Sequence, residues 1–267
     1  GPTNSLRGAA WLTGATDAIV VDIGGTTSDV GVLVSSFPRQ STFHVDVGGV
    51  RTNFRMPDVY SIGLGGGSLV RETDDGVVVG PDSVGFRLLS EGMIFGGETL
   101  TTSDIAVAAG AADFGDRTLV AGLSDDLVTA AQGAITRLVG DAIDRMKTAP
   151  GDMPLILVGG GAVLIADVPR GVSEVLRPEH AGVANAIGAA IGQVSGEIDR
   201  IYAITDDISR KEALDDAKMQ ASAQAVAAGA GEDSIEVVDV EAVPLQYLPG
   251  GATRVVCRVV GDLAIGA

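Results

Sequence analysis

The sequence contains 267 residues, of which 18 are Lys or Arg and 35 are Asp or Glu, so its formal net charge is −17. A surface this acidic repels nucleic-acid phosphates and anionic lipid headgroups, which excludes general nucleic-acid or membrane-surface binding. A single cysteine and two histidines leave no Cys-based or His-rich metal centre. The groups that remain for chemistry are carboxylates, hydroxyls and the main chain around 38 glycines.

The first part of the chain is predicted to open with antiparallel strands rather than with a strand–helix unit. An amphipathic segment at residues 5–12 precedes a buried strand at 18–23, a Gly-Gly turn, a strand at 28–34 and a third strand at 42–47. A glycine loop at 62–68 leads into a hairpin around Asp75-Gly76. A short helix capped by Ser103 or Asp104 is predicted over 105–112, and a long helix capped by Ser124 over 125–147.

The second part predicts another buried strand and then a separate small unit. The strand covers residues 154–158, and a helix rich in Ala and Gly is predicted from Pro178 to Val194. Gly196 marks the best domain boundary, which gives domains at 1–196 and 197–267. The small domain reads as a β-α-β-β unit, with strands at 200–205, 235–247 and 254–263 and a helix at 209–228.

The sharpest motif is Asp-Ile-Gly-Gly-Thr-Thr-Ser-Asp at residues 22–29. A carboxylate at the end of a buried strand, followed by two glycines and two hydroxyls, brings backbone N–H groups close to one point, where phosphate oxygens could approach. A strand-end aspartate such as Asp22 can hold Mg²⁺ through water. The alternative is a plain hairpin turn in which neighbouring amides satisfy Asp22.

A second glycine motif, Val-Gly-Gly-Gly-Ala, follows the strand at 154–158. Three glycines let the main chain lie against a flat base or a ribose, although strand-to-helix turns use glycine as well. It is not a P-loop, because no Gly-Lys-Ser/Thr follows it. The two motifs together predict one nucleotide site more strongly than either motif alone.

These motifs resemble those of the actin/Hsp70/sugar-kinase superfamily: residues 22–27 resemble its second phosphate motif, 158–162 its adenosine motif and 180–190 the segment just after it. Within that superfamily, residues 20–30, 58–68, 79–85 and 100–104 resemble the hydantoinase A/5-oxoprolinase family in order and spacing. The resemblance covers about residues 1–195. It implies a ribonuclease H-like α/β domain with a mixed sheet flanked by helices, followed here by the small α+β unit.

The resemblance also implies an activity and its site. The expected enzyme is an ATP-dependent hydrolase of cyclic amides that phosphorylates the lactam oxygen before ring opening, with ATP and Mg²⁺ as cofactors. Asp22 would position the Mg²⁺, and Asp29 would either orient the nucleophile or brace the loop. The phosphate contacts would be Gly24, Gly25, Thr26 and Thr27; the adenosine contacts would be Gly159, Gly160, Gly161 and Ala162; the candidate substrate contacts are Gly65, Gly66, Gly67 and Ser68, against the alternative of a tight internal turn.

The resemblance further implies partners. The superfamily's first phosphate motif lies in an upstream domain, and no second Asp-x-Gly-Gly-Thr occurs in these 267 residues. The chain is therefore expected to act with an upstream half of the same protein, and with a hydantoinase B-like subunit, in the cytoplasm. The alternatives are a small-molecule kinase or carboxylase subunit of the same superfamily, or a non-enzymatic, ATP-switched activator or assembly protein.

Four further residues are predicted to be structural. His44 is expected within a strand and His180 as a cap or packing residue near a helix start. Cys257 alternates with Val255 and Val259 and is expected to pack in a strand, without a base to make it a nucleophile. Trp11 is expected in the core or as an interdomain anchor.

Overall fold

The elements of the chain, taken from a computed structural model, are described for residues 1–41, 45–47, 50–52, 57–204, 209–246 and 251–264. In chain order they are α1 (Pro2–Thr13), β1 (Ala18–Ile23), β2 (Ser28–Val34), β3 (Phe37–Pro38), β4 (Val45–Val47), β5 (Val50–Thr52), β6 (Val59–Ile62), β7 (Ser68–Thr73), β8 (Gly76–Ser83), α2 (Leu88–Glu91), α3 (Thr102–Ala108), α4 (Asp125–Met146), β9 (Met153–Val158), β10 (Val172–Leu176), α5 (Ala184–Ala190), β11 (Gln193–Ala203), α6 (Arg210–Ala227), β12 (Glu236–Pro244) and β13 (Ala252–Asp262). Short 3-10 helices lie at Gly85–Arg87, Met93–Phe95, Arg117–Val120, Gly160–Leu164, Ala181–Val183 and Glu232–Ser234. The chain divides into two units, Gly1–Ala190 and Ile191–Ala267.

A mixed sheet forms the centre of the first unit. Its order is β10-β9-β1-β2-β3, with β6 paired to β2. The pairs β1/β9 and β9/β10 are parallel, whereas β1/β2, β2/β3 and β2/β6 are antiparallel. The predicted antiparallel pairing of the first strands is confirmed. The strand β9, which comes about 130 residues after β1 in the sequence, pairs with the edge of β1 that β2 leaves free.

Alternating side chains of the central strands face two different helical layers. On one face, Ile19, Val21 and Ile23 pack in a cluster with buried residues of α4 such as Ile135 and Ile143. On the other face, Ala18 and Val20 pack with Leu6 and Ala9 of α1. Because the strands are buried on both faces, their sequences are continuous apolar runs rather than alternating ones. The expected mixed sheet flanked by helices is therefore confirmed.

The α1 and α5 helices lie in close contact on that second face. A Cβ on Gly8 would stand 1.9 Å from the Ala184 carbonyl oxygen, and one on Gly188 would stand 1.8 Å from the Asn4 carbonyl oxygen. Neither position admits a side chain without separating the two helices. The helix predicted for 178–194 is wrong in its bounds, because α5 covers only Ala184–Ala190. His180 has a left-handed φ of 67°, which an α-helix does not accommodate.

The second unit is a three-stranded antiparallel sheet with one helix on it. The strand order is β11-β13-β12, and buried Ala217, Ala221 and Ala225 of α6 pack with Val255, Cys257 and Val259 of β13. The predicted β-α-β-β order is confirmed. Gly196, where the sequence analysis placed the boundary, lies within β11, and a Cβ there would stand 2.0 Å from the Ala221 carbonyl oxygen.

Several local predictions need correction or stay outside the described residues. Trp11 is 63% exposed on α1, so it is not a core residue. The cap of α3 is Thr101, which forms a capping box with Asp104, so the helix begins three residues earlier than predicted. His44 lies outside the described residues, as does part of the strand predicted at 42–47. No helix in the described ranges is both long enough and apolar enough to traverse a lipid bilayer.

Candidate functional site

The two glycine motifs become neighbours because their strands are adjacent and parallel. Asp22, near the end of β1, stands opposite Val158, the last residue of β9. The carboxyl ends of parallel strands meet at the same edge of a sheet, about 4.8 Å apart per strand. Motifs that are separated by about 135 residues in the sequence therefore lie side by side in the fold.

Gly159 packs directly against the candidate carboxylate. Its φ is +83°, and a Cβ there would stand 2.3 Å from Asp22 Oδ1 and 2.4 Å from the Ile23 carbonyl oxygen. A Cβ on Gly161 would stand 2.4 Å from Ile23 Cγ2. Both positions need glycine because β1 occupies the space that a side chain would take. The next residue along differs: a Cβ on Gly160 would meet nothing within 4 Å, and Gly160 is exposed.

The turn between β1 and β2 presents main chain to solvent. The Gly24 N–H donates to the Thr27 carbonyl oxygen over 2.9 Å, which closes the turn. Residues 24–27 are all exposed. In the described part of the chain, the N–H groups of Gly25, Thr26 and Thr27 have no protein acceptor. Such a set of free backbone donors at one point is suited to an anion.

The Gly65–Ser68 loop lies beneath this turn and holds it from below. All four residues are buried. The Gly66 N–H donates to the Gly24 carbonyl oxygen over 3.0 Å, and the Gly67 N–H to the Gly25 carbonyl oxygen over 2.7 Å. A Cβ on Gly65 would stand 2.4 Å from the Thr26 nitrogen. The burial favours the internal-turn alternative over substrate contact for these residues.

The start of α3 supports the buried loop in turn, a role that sequence reasoning did not assign. The Thr102 and Ser103 hydroxyls donate to the carbonyl oxygens of Gly65 and Gly66 over 2.5 Å and 2.8 Å. Asp104 is fully buried, and its carboxylate accepts from the Ile94 N–H and from the N–H and hydroxyl of Thr101. The sequence signal was the Leu-Thr-Thr-Ser-Asp segment at 100–104, noted above only for its resemblance.

The second candidate acid, Asp29, lies beside the first. Asp22 and Asp29 are direct cross-strand partners in the β1/β2 ladder, where facing side chains stand about 5 Å apart at Cβ. The Ser61 hydroxyl, on β6, donates to Asp29 Oδ1 over 2.5 Å. Asp29 therefore has a fixed partner on its far side, which sequence reasoning missed because it lies on a third strand. Both aspartates are partly exposed.

The remaining predicted residues take no part in this edge. His180 is exposed, with Nε2 3.8 Å from the Glu179 carboxylate; the chain just after it is tied to the site because the Gly159 N–H donates to the Ala181 carbonyl oxygen over 2.9 Å. Cys257 is buried in β13 of the other unit, as predicted, and burial raises the pKa of its thiol.

The residues at the edge fit a magnesium nucleotide. Among the described residues, no group of three or more His, Cys, Asp or Glu side chains is placed to hold a metal ion by itself. Magnesium is commonly held by one or two carboxylates with phosphate oxygens and waters completing its shell, which Asp22 beside a set of backbone donors would allow. A Cβ on Gly25, like one on Gly160, would project into open space.

Comparison with known proteins matches the first part of the chain to a family model. A family model described as Hydantoinase/oxoprolinase matches residues 1–118. The match covers 118 of the 267 residues, including the turn at residues 24–27 and the loop at residues 65–68. The chain is also similar, at 32% identity over 115 residues, to the acetophenone carboxylase gamma subunit of Aromatoleum aromaticum, a match that covers 41% of this chain and 16% of that protein.

Two solved structures share the fold. The ATP-dependent caprolactamase from Pseudomonas jessenii matches with a TM-score of 0.66 and 20% identity, over 98% of this chain and 49% of that one. A nucleotide-free acetone carboxylase structure matches with a TM-score of 0.61 and 17% identity, over 97% of this chain and 49% of that one. This chain spans about half the length of either structure. The expected fold and family resemblance are confirmed.

Proposed function

We propose that this chain supplies the second phosphate motif and the adenosine motif of an ATP-dependent hydrolase of cyclic amides of the hydantoin or 5-oxoproline type. One observation carries the proposal: Asp22 lies beside Val158, so that residues 24–27 and 159–162 share one sheet edge. A nucleotide needs adjoining points for its phosphates and its adenosine. The ATP dependence named for the caprolactamase and the acetone carboxylase supports the same cofactor here.

In this proposal each group at the edge has one task. Asp22 would hold Mg²⁺, and the turn at residues 24–27 would hold the β- and γ-phosphates through the free N–H groups of Gly25, Thr26 and Thr27. Residues 159–162 would contact the adenosine. Asp29, fixed by Ser61, orients the attacking group. Bound Mg-ATP would supply the phosphoryl group that makes the lactam carbon electrophilic. The net reaction consumes the lactam, ATP and two waters, breaks the ring C–N bond, and yields an amino acid, ADP and phosphate.

A carboxylase subunit is the second candidate function. The similarity to an acetophenone carboxylase gamma subunit favours it, and that name also indicates a multi-subunit enzyme. Under either function we propose a further subunit, and a first phosphate motif from outside these 267 residues, since no second Asp-x-Gly-Gly-Thr occurs within them.

The two functions differ in what makes ATP turn over. We would measure ADP release in the longer protein that includes the first phosphate motif, with 5-oxoproline, hydantoin or caprolactam, and separately with acetone or acetophenone plus bicarbonate. Stimulation by a lactam supports the hydrolase, and stimulation only by ketone plus bicarbonate overturns it in favour of the carboxylase.

The site assignment is tested separately from the substrate. Asp22→Asn is expected to abolish Mg-dependent turnover with any substrate, whereas Asp75→Asn, in the exposed β7–β8 turn, should leave it unchanged. Full activity of Asp22→Asn would show that this sheet edge is not the nucleotide site.

A further inference from the structure

A cavity lies at the far end of α3 from the candidate nucleotide turn. It is formed between the end of α3, the 3-10 helix Arg117–Val120 and the start of α4, and its volume is about 600 Å³. Cavities that take small molecules commonly have volumes of about 300–1,000 Å³. Its apolar wall includes Ala108, Val120, Leu123 and Val128, of which Val120 is only 2% exposed.

Two opposite charges line this one cavity without neutralising each other. Arg117 and Asp125 both face it, and among the described residues neither forms an ion pair. The nearby acid Asp116 is engaged elsewhere, because its carboxylate accepts from the N–H and the hydroxyl of Thr118 over 2.9 Å and 2.6 Å. These two hydrogen bonds lower the pKa of Asp116, and the bond from the Thr118 hydroxyl has the larger effect.

The α4 helix adds neutral polar groups on the same side. Asp125, Thr129 and Gln132 line the cavity at positions i, i+4 and i+7, which lie along one helical face. The cavity thus combines an apolar wall with one positive and one negative side chain. The Thr129 hydroxyl and the Gln132 amide add neutral hydrogen-bonding groups. This pattern matches a ligand with an apolar body and two separated charges.

We propose that the cavity binds a zwitterionic amino acid, with its carboxylate held by Arg117, its ammonium group by Asp125, and its carbon chain against the apolar wall. The planar guanidinium of arginine suits a carboxylate because it can donate two parallel hydrogen bonds to it. A ligand that carried only one charge would leave the other charged side chain without a partner, so it would gain less on binding.

The position of the cavity connects it to the proposed reaction. The Thr102 end of α3 bonds to the loop under the phosphate turn, and the Ala108 end lines the cavity, about 10 Å along the helix axis. Opening a lactam with water produces a carboxylate and an ammonium group on one carbon chain, which is the class of ligand inferred here. This link to the product rests on the proposed function; the charge pattern of the cavity does not.

The test compares ligands of one chain length by calorimetry, without nucleotide. The probes are 6-aminohexanoate, hexanoate and hexylamine, with 4-aminobutyrate as a shorter zwitterion. We expect at least one zwitterion to bind roughly tenfold more tightly than either singly charged probe, which is about 1.4 kcal/mol. Arg117→Gln and Asp125→Asn should each weaken that zwitterion about tenfold. Arg117→Gln should leave hexylamine binding unchanged.

Matched controls separate the cavity from general charge. Asp126→Asn changes the neighbouring acid of the same helical turn, and Arg170→Gln removes an exposed arginine elsewhere; neither residue lines the cavity, so both variants should bind like the parent. Equal binding of all three six-carbon probes, no binding of either zwitterion at millimolar concentration, or equal losses in Asp125→Asn and Asp126→Asn would each overturn the proposal. Zwitterion binding together with no lactam-stimulated ADP release would instead overturn only the proposed hydrolase.

Discussion

Gly159 is the position where one added methyl group tests the whole site geometry. It has a φ of +83°, and a Cβ would stand 2.3 Å from Asp22 Oδ1 and 2.4 Å from the Ile23 carbonyl oxygen. Carbon and oxygen atoms that are not bonded do not approach so closely, so Gly159→Ala must both displace the Asp22 carboxylate and separate residue 159 from the Ile23 carbonyl group. The main chain is held by ladders on both sides. The Asp22 carboxylate and the loop at residue 159 are therefore the groups expected to move away from each other.

The cost has two parts that the structure allows us to estimate. A left-handed backbone on a residue other than glycine costs roughly 1–3 kcal/mol, and the displacement of neighbouring atoms adds about 1 kcal/mol or more, as overpacking of a dense interior does. A total of roughly 2–4 kcal/mol would lower the melting temperature by about 5–12 °C for a unit of this size. Displacement of Asp22 should also weaken Mg-ATP binding by tenfold or more.

Two further glycine variants make the measurement specific. Gly122→Ala, where a Cβ meets nothing within 4 Å, should change neither stability nor nucleotide binding. Gly160→Ala also has open space and should retain stability, yet its methyl group would enter the proposed adenosine position and weaken binding. Thermal melts and calorimetry on the three variants read out both effects. The β1–β9 arrangement described here would be refuted if Gly159→Ala had the same melting temperature as Gly122→Ala and bound nucleotide as tightly as the parent.

Four other outcomes follow from the contacts of single residues. Asp104→Ala should lower stability by about 3 kcal/mol in a denaturant titration, because it leaves three donors without their buried carboxylate. Ser209→Ala should cost about 1 kcal/mol through loss of the α6 cap, visible as faster hydrogen exchange in that helix. The Ser209 N–H and hydroxyl hold the pKa of Glu212 below its ordinary value of 4.5. The contribution of Glu212 to stability is therefore complete above pH 4.5 and is lost as pH falls through the lowered pKa. Glu212→Gln should reduce this loss of stability at acid pH, and a pH–stability profile equal to that of the parent would contradict the assignment. The Cys257 thiol, buried and with a raised pKa, should react with a thiol reagent only on unfolding, so rapid modification of the native protein would contradict its placement.

The sequence was most informative where a local signal and a tertiary demand coincide. The α4 helix was predicted within one residue at its C-terminus, and the Ser124 hydroxyl does accept from the Leu127 N–H, since capping is a contact between residues three apart. The same holds for α6, where Ser209 and Glu212 form a capping box. The strands β1 and β9 were also evident, because burial on both faces leaves long apolar runs.

Predictions failed where distant contacts decide the structure. The Ala- and Gly-rich stretch at 178–194 suggests one helix, yet Gln193 and Val194 pair with Asp262 and Gly261 in β11, a partner that no local pattern indicates. Gly196 resembles a linker residue in sequence. In the fold, Gly196 is the residue of β11 whose main chain packs directly against the main chain of α6 at Ala221.

The candidate site shows the same division. Its exposed loops were predicted by residue type, but their supports were not. Ser61 bonds to Asp29 from 32 residues away, and Thr102 bonds to Gly65 from 37 residues away. A hydrogen bond between residues so far apart in the sequence leaves no helical or strand periodicity from which it could be predicted. The roles of the glycines also divide only in three dimensions: Gly65 is needed for packing, whereas Gly25 leaves open space.

The acidity of the chain places a condition on the proposed site. Lysine does not occur before Lys147, and the proposed phosphate position is lined by main-chain N–H groups next to two aspartates. Backbone donors orient phosphate oxygens but carry no net charge, whereas Asp22 and Asp29 would repel a triphosphate in a surrounding field that is already negative. In the proposed function, Mg²⁺ bound between Asp22 and the phosphates would offset this repulsion. A strand-end aspartate suits that role because a carboxylate is a ligand that Mg²⁺ prefers.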